Sequence, residues 1–147
     1  MHFVHFFGTI FSDPVEKPFL IVKLMLIAIG GAFGSVLRYL ISGWTQKLSE
    51  SAFPIGTMSV NVIGCLCIGV LGAIFASPFS PREEYRLALA IGVLGGFTTF
   101  STFGLETFEL INDREFARAG INILATNACC LAAVWIGYRL TEKLVGA

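Results

Sequence analysis

Gly95-Gly96-Phe97-Thr98-Thr99-Phe100-Ser101-Thr102-Phe103 is a glycine pair followed by hydroxyl and aromatic side chains, set inside an apolar segment of about residues 87–111. Each glycine weakens helical preference by about 1 kcal/mol relative to alanine. The hydroxyl groups need hydrogen-bond partners that hydrocarbon cannot supply. The stretch therefore predicts a helix that is interrupted at Gly95-Gly96, with hydroxyl groups that are used inside the protein.

The composition around this stretch is that of an integral membrane protein. Of the 147 residues, 55% are hydrophobic and 14% are charged, and the mean hydropathy is +0.78. The 10 basic and 10 acidic residues balance, so no basic surface argues for a nucleic-acid partner. The 16 glycines favour a compact bundle, because small residues let membrane helices approach closely.

Four apolar segments are long enough to cross a bilayer core, which takes about 20 residues. They are predicted at about residues 20–40, 55–76, 87–111 and 119–140. Residues 1–24 are interpreted as an N-terminal extension or an interfacial segment, and residues 25–147 as one domain of four transmembrane helices. His2 and His5 lie in the first segment and are assigned no function.

Four spans place both chain termini on one side of the membrane, and the basic residues are divided almost evenly between the two sides. One side carries Lys17, Lys23, Arg82, Arg86, Arg139 and Lys143, and the other carries Arg38, Lys47, Arg114 and Arg118. Six basic residues against four give only a weak bias toward one orientation. The chain is therefore expected to insert either way round, so that a pair of oppositely oriented copies is possible.

Small and weakly polar residues recur on one face of three spans. Gly30 and Gly34 in the first span predict close packing against another helix. The corresponding faces of the second and fourth spans are Thr57, Asn61, Cys65, Gly69 and Ala73, and Asn122, Thr126, Cys130, Ala133 and Gly137. The cysteines are interpreted as packing residues rather than disulfides or zinc ligands. Position alone leaves two roles open for Asn61, an interhelical hydrogen bond or a donor that points into a pore.

The central stretch could serve a small anion. An interrupted membrane helix frees backbone carbonyls that can bind a cation or must find other donors, and the following hydroxyl groups can donate hydrogen bonds to an anion. Phe100 and Phe103 share one helix face, and the positive edges of their rings can favour an anion without holding it tightly. The alternative is ordinary packing, in which Gly92 and Gly96 contact a helix and the threonines bond their own backbone.

The sequence resembles the Fluc fluoride channel family, also called CrcB. The resemblance rests on GGFTTFSTF at residues 95–103, on Asn61, and on GGAFGSVLRY at residues 30–39, and it covers about residues 24–140. It implies an all-α membrane protein with four transmembrane helices, a break in the third, and assembly as an antiparallel dual-topology homodimer. It also implies a multi-pass protein of the inner (plasma) membrane that confers fluoride resistance by passive export.

Specific residues take roles if the resemblance holds. The backbone carbonyls of Gly95 and Thr98 from both copies would hold a structural Na⁺ at the dimer two-fold axis, and Arg38 would lie in a vestibule. Phe100 and Phe103 would contact fluoride through their ring edges. Asn61 would be the pore amide, and Ser101 and Thr102 would belong to the polar stretch beside it.

The fourth span departs from the family pattern. Many relatives carry a tyrosine where this chain has Asn122, and serines where it has Thr126, Ala128 and Cys130. Thr126 can still donate a hydrogen bond and Ala128 cannot, so the polar track on that side is expected to be shorter or completed by water. Asn122 and Thr126 remain candidate pore residues. Glu106 fits either a vestibule charge or an ordinary interfacial acid.

Two other functions are compatible with four small spans. A small multidrug-type antiporter would resemble others of its kind in having an acidic residue within the first helix, and residues 20–40 contain none. An accessory membrane subunit would use its glycine faces for a partner and transport nothing. No catalytic nucleophile, metal cluster or phosphate-binding loop indicates an enzyme.

Overall fold

The computed structural model describes residues 17–78 and 80–145, and every regular element in this part of the chain is helical. Helix α1 is Lys17–Ser49, α2 is Ile55–Ala76, α4 is Phe100–Asn112 and α5 is Phe116–Val145. Helix α3 precedes α4 and combines Glu83–Leu87, a π-helical segment Ala88–Leu94, and Gly95–Phe97. Residues 1–16 of the expected N-terminal segment lie outside the described residues, whereas residues 17–24 belong to α1.

The four predicted membrane spans are confirmed. By length and composition the candidate spans are Leu20–Ser49, Ile55–Ala76, Glu83–Asn112 and Phe116–Val145. The third span consists of α3 and α4, which are separated by a short non-helical break. The predicted interruption of the third helix therefore exists.

The break lies further along the chain than the glycines predicted. Gly95–Phe97 is helical, and the backbone becomes extended at Thr98 (φ −84°, ψ 158°) and Thr99 (φ −150°, ψ 112°). Gly96 packs directly on α1, because an added Cβ atom would overlap Gly31 O. The glycine pair thus permits a close helix contact, and placing the interruption at Gly95-Gly96 was wrong.

The first link was also predicted too long. The spans predicted at about residues 20–40 and 55–76 left a link of about residues 41–54, but α1 continues to Ser49 and residues 50–54 form the connection. Gln46 holds this short link, since its Nε2 donates to Ser51 O at 2.6 Å and its Oε1 accepts from Gly56 N at 2.9 Å. Glu50 adopts a left-handed conformation (φ 47°), which commonly ends a helix.

Glycines bring α1 against α3, which is its main packing partner. A Cβ atom added at Gly30 would lie 2.7 Å from Ala88 O and 3.2 Å from the Cα of Gly92. One added at Gly34 would overlap Val93 O. The helix contact predicted from the Gly30 and Gly34 step is confirmed.

Helices α2 and α5 form the second close pair. As the second and fourth spans they run in the same direction. A Cβ atom added at Gly69 would overlap Val134 O, and one added at Gly137 would overlap Leu66 O. The predicted small-residue faces are largely buried here, and their buried members are Thr57, Asn61, Gly69, Ala73, Asn122, Thr126, Ala133 and Gly137.

Candidate functional site

A groove of about 420 Å³ runs along the break in the third span, between α2 and α5. Its polar and aromatic lining includes Asn61, Thr98, Thr99, Phe100, Phe103 and Thr126. The groove therefore brings together side chains from three of the four spans.

Asn61 holds the break through two reciprocal hydrogen bonds. Its Nδ2 donates to Thr99 O at 3.0 Å, and its Oδ1 accepts from Thr99 N at 2.8 Å. Both residues are buried, with exposed fractions of 9% and 7%. The amide makes the interhelical hydrogen bond that was one alternative, and it also lines the groove. A primary amide has two N–H donors, so these bonds leave one for another acceptor.

Gly95 and Thr98 are among the residues whose carbonyls lose their helical donors at the break. In a continuous helix Thr99 N would donate to Gly95 O, but it donates to Asn61 instead. Likewise Thr102 N would donate to Thr98 O, but it donates to Thr99 Oγ1 at 3.2 Å, which caps the start of α4. Gly95 and Thr98 both line the groove.

Arg38 lies at the break. Its Nη1 donates to Thr98 O at 3.3 Å, and the side chain is half-buried. It is absent from the linings of the groove and of the second cavity described below. A carbonyl oxygen has two lone pairs, so Thr98 O keeps the capacity to accept a second partner.

Phe100 and Phe103 form a pair of rings along the groove. Their centroids lie 5.4 Å apart and their planes are tilted by 45°. Phe103 is buried, with 7% of its surface exposed, whereas Phe100 is 79% exposed. The prediction that both rings share one helix face is confirmed. The ring of Phe100 projects from the single chain.

A second cavity of about 460 Å³ continues along α2 and α4 toward the link between α1 and α2. Thr57, Thr102, Glu106, Glu109 and Asp113 contribute its polar lining. Thr57 Oγ1 donates to Glu106 Oε1 at 2.6 Å. Glu106 Oε2 is buried and has no hydrogen-bond partner within the described part of the chain. Glu106 therefore lines a polar cavity, with one carboxylate oxygen buried.

Asn122 is part of a buried hydrogen-bond chain between α5 and α4. Its Nδ2 donates to Thr107 Oγ1 at 2.9 Å, and Thr107 Oγ1 donates to Phe103 O at 2.7 Å. Thr126 Oγ1 donates to Asn122 Oδ1 at 3.2 Å. Asn122 is 1% exposed and lines neither the groove nor the second cavity, whereas Thr126 reaches the groove.

The two remaining candidates, Ser101 and Thr102, stand at the start of α4. Ser101 is exposed, and its Oγ lies 3.3 Å from Thr99 Oγ1. Thr102 Oγ1 accepts a hydrogen bond from Thr99 Oγ1 at 2.9 Å and lines the second cavity. Among the residues proposed for the pore, Ser101 reaches neither cavity.

Sequence reasoning did not propose four polar residues of this region as site residues, namely Thr57, Thr99, Thr107 and Asn127. Thr99 was counted only among the hydroxyl groups that can donate to an anion. Thr57 was placed on the correct face of α2 but was not proposed as a site residue. Asn127 lines the groove, and its Nδ2 donates to Ile123 O at 2.7 Å. An amide side chain in the middle of an apolar segment could have identified Asn127 from the sequence.

A family model and individual known proteins both show similarity to this chain over most of its length. Residues 25–138 match the family model described as "CrcB-like protein, Camphor Resistance (CrcB)". A protein from Geobacter sulfurreducens named "Fluoride-specific ion channel FluC" is 46% identical over 82% of this chain and 98% of its own length. Proteins with the same name from Rhizobium etli and Sulfurovum sp. are 44% and 43% identical over 84% of this chain, and over 99% and 96% of their own lengths. The chain therefore belongs to the CrcB family.

Proposed function

We propose that this chain is a fluoride channel that lets fluoride leave the cytoplasm passively. The observation that carries the proposal is the groove where Asn61, the broken backbone and two phenylalanine rings meet. Relatives more than 40% identical are named fluoride-specific ion channels. That name describes a channel rather than an enzyme, in agreement with the sequence-based prediction. The four spans agree with a multi-pass membrane protein, which in a bacterial cell is an inner-membrane protein.

The groove suits a small anion because its lining offers hydrogen-bond donors and ring edges. Asn61 retains one N–H for an acceptor, and Phe100 and Phe103 can present positive ring edges. Among the described residues that line the groove, no side chain is charged. An anion would thus be bound by dipoles, which replace its hydration without trapping it.

A fluoride route through the groove would continue into the second cavity. Asn61 and Thr57 are one turn apart on α2, and the first lines the groove while the second lines the cavity. Hydrogen fluoride would enter the cell neutral and ionise there. The membrane potential would then drive the anion out, at about 2.3 kcal/mol per 100 mV.

The working channel in this proposal is an antiparallel homodimer with two pores. The groove opens to the outside of the single chain, and Phe100 is 79% exposed beside it. A second copy in the opposite orientation would cover both features by one self-complementary contact. The even distribution of basic residues supports insertion in both orientations.

A structural Na⁺ at the centre of this dimer fits the break. The carbonyls of Gly95 and Thr98 have lost their helical donors and would hold the ion from both copies. The ion would supply positive charge that ties the two breaks together. We expect purified dimer to dissociate when Na⁺ is replaced by N-methylglucamine, as measured by size-exclusion chromatography. An unchanged dimer fraction would argue against this site.

The channel function is tested with liposomes that contain only this protein. We expect rapid fluoride efflux when a potassium ionophore removes the opposing voltage, followed with a fluoride electrode, and little chloride efflux. A folded dimer that releases no fluoride would contradict the proposal. It would favour an accessory subunit, which transports nothing when purified alone.

A further inference from the structure

Two of the four cysteines of the chain meet in the groove. Gly69 of α2 contacts Val134 of α5, and one turn earlier on each of these parallel helices stand Cys65 and Cys130. Both line the groove, and both are half-buried free thiols. The helix register thus brings two thiol groups together at one wall of the groove.

The other two cysteines occupy the same helices but lie away from this point. Cys67 is half-buried on α2, and Cys129 is exposed on α5. Neither lines the groove. Cys67 and Cys129 can therefore serve as matched controls, because each lies one or two residues from a groove cysteine.

Two adjacent thiols are a ligand set for soft metal ions. Thiolate sulfur selects soft metals over hard ones, and it binds them after losing its proton. A mercuric ion would form two sulfur–metal bonds and release two protons, so the bound unit carries no net charge. A neutral unit avoids the cost of placing a charge in a weakly polar groove.

We propose that Cys65 and Cys130 form a two-thiol binding site for a soft metal ion within the groove. The site follows from the helix register, because Cys65 and Cys130 stand one turn before the contacting residues Gly69 and Val134 and line the same groove. The expected consequence, which rests on the proposed function, is that the bound ion obstructs the fluoride route.

Metal binding is measured first, because it does not depend on conduction. The probe is mercuric ion added to purified protein, and retained mercury is counted by mass spectrometry after washing with a competing thiol. The reference variant is Cys67→Ser/Cys129→Ser, which keeps both groove cysteines. Into it, Cys65→Ser and Cys130→Ser are introduced singly, and size-exclusion chromatography verifies that each variant is folded.

We expect the reference variant to retain one mercuric ion per chain. Each single groove substitution should weaken retention on the order of a hundredfold, because a two-point attachment becomes a one-point attachment. Equal retention in Cys65→Ser, or loss of retention in the reference variant, would overturn the site. Cys65→Ala and Cys130→Ala repeat the test if a serine variant does not fold.

The position of the ion is then tested by fluoride efflux, with protein-free liposomes as the leak control. Mercuric ion should block the parent and the reference variant, and Cys65→Ser should resist it. If no variant conducts, the channel proposal fails while the binding measurement still decides the metal site. If the parent retains mercury yet conducts unchanged, the ion does not lie on the conduction path and that part of the inference is overturned.

Discussion

Asn61 replaces the helical partner of Thr99 N and adds a hydrogen bond to Thr99 O. Because Thr99 N is buried and donates to Asn61 Oδ1, removing the amide leaves this N–H without a partner. Each unsatisfied buried group costs about 1–3 kcal/mol. The side chain therefore has two separable effects, one on the stability of the break and one on the donors of the groove.

For Asn61→Ala we expect both a lower thermal unfolding temperature and a strongly reduced fluoride efflux. Asn112→Ala is the stability control, because this asparagine is exposed at the end of α4. Thermal unfolding in detergent and liposome efflux measure the two effects separately. Equal unfolding temperatures for the two variants would contradict the structural role of Asn61.

Phe100 offers a sharper test of ring chemistry than Phe103, because its ring makes little contact within its own chain. We expect Phe100→Ile to abolish efflux and to leave the dimer intact, since isoleucine keeps bulk but lacks a polarised ring edge. Phe108→Ile is the matched control, as Phe108 is also exposed on α4, at 62%, and does not line the groove. Efflux from Phe100→Ile at the parental rate would remove Phe100 from the proposed pore.

At the scale of helices, glycines matter because the missing Cβ atom leaves room for a neighbouring helix, and not because they make the backbone flexible. Gly96 lies against Gly31 O, whereas a Cβ atom added at Gly104 would meet nothing within 4 Å. We expect Gly96→Ala to cost about 1–3 kcal/mol through overpacking. Gly104→Ala should instead raise helix stability by up to about 1 kcal/mol. Unfolding by heat or denaturing detergent compares the two variants, and equal stability would argue against the α1–α3 contact.

Hydropathy and small-residue spacing predicted the four spans and the helix faces, because burial in lipid and close packing both leave periodic patterns. They did not predict where α1 ends. Apolar character stops near Ser42, but the helix continues to Ser49 because Gln46 bonds the link residues and the start of α2. Hydropathy reports the edge of the membrane and not the edge of a helix.

The position of the break could not be predicted for a similar reason. The break depends on Asn61 accepting from Thr99 N, a contact between residues far apart in sequence. The spacing of polar residues in the fourth span likewise predicted the correct helix face for Asn122. It did not predict that Asn122 lies behind the groove, where it donates to Thr107. Gly95, Thr98, Phe100, Phe103 and Thr126 were proposed as site residues and do meet there.

At the scale of the whole molecule, the charge of the second cavity opposes an anion route. Glu109 and Asp113 are exposed on its lining, and Glu106 lies deeper. We expect Glu109→Gln to raise fluoride efflux several-fold at low ionic strength and to have little effect near 1 M salt, where charges are screened beyond about 3 Å. Glu50→Gln is the control, since Glu50 lies at the same end but outside the lining. A salt-independent change would contradict an electrostatic cause.

The interleaved pairing of the helices constrains the order in which the protein can be made. Helix α1 packs mainly on α3, and α2 mainly on α5, so neither pair consists of neighbours in the chain. During synthesis, α2 carries Thr57 and Asn61 into the bilayer before Glu106 and Thr99 are translated. Its glycine face stays uncovered until the 30 residues of α5 follow. A nascent chain therefore holds Thr57 and Asn61 in the membrane without these partners until the third span is made, and the glycine face of α2 stays uncovered until α5 is made.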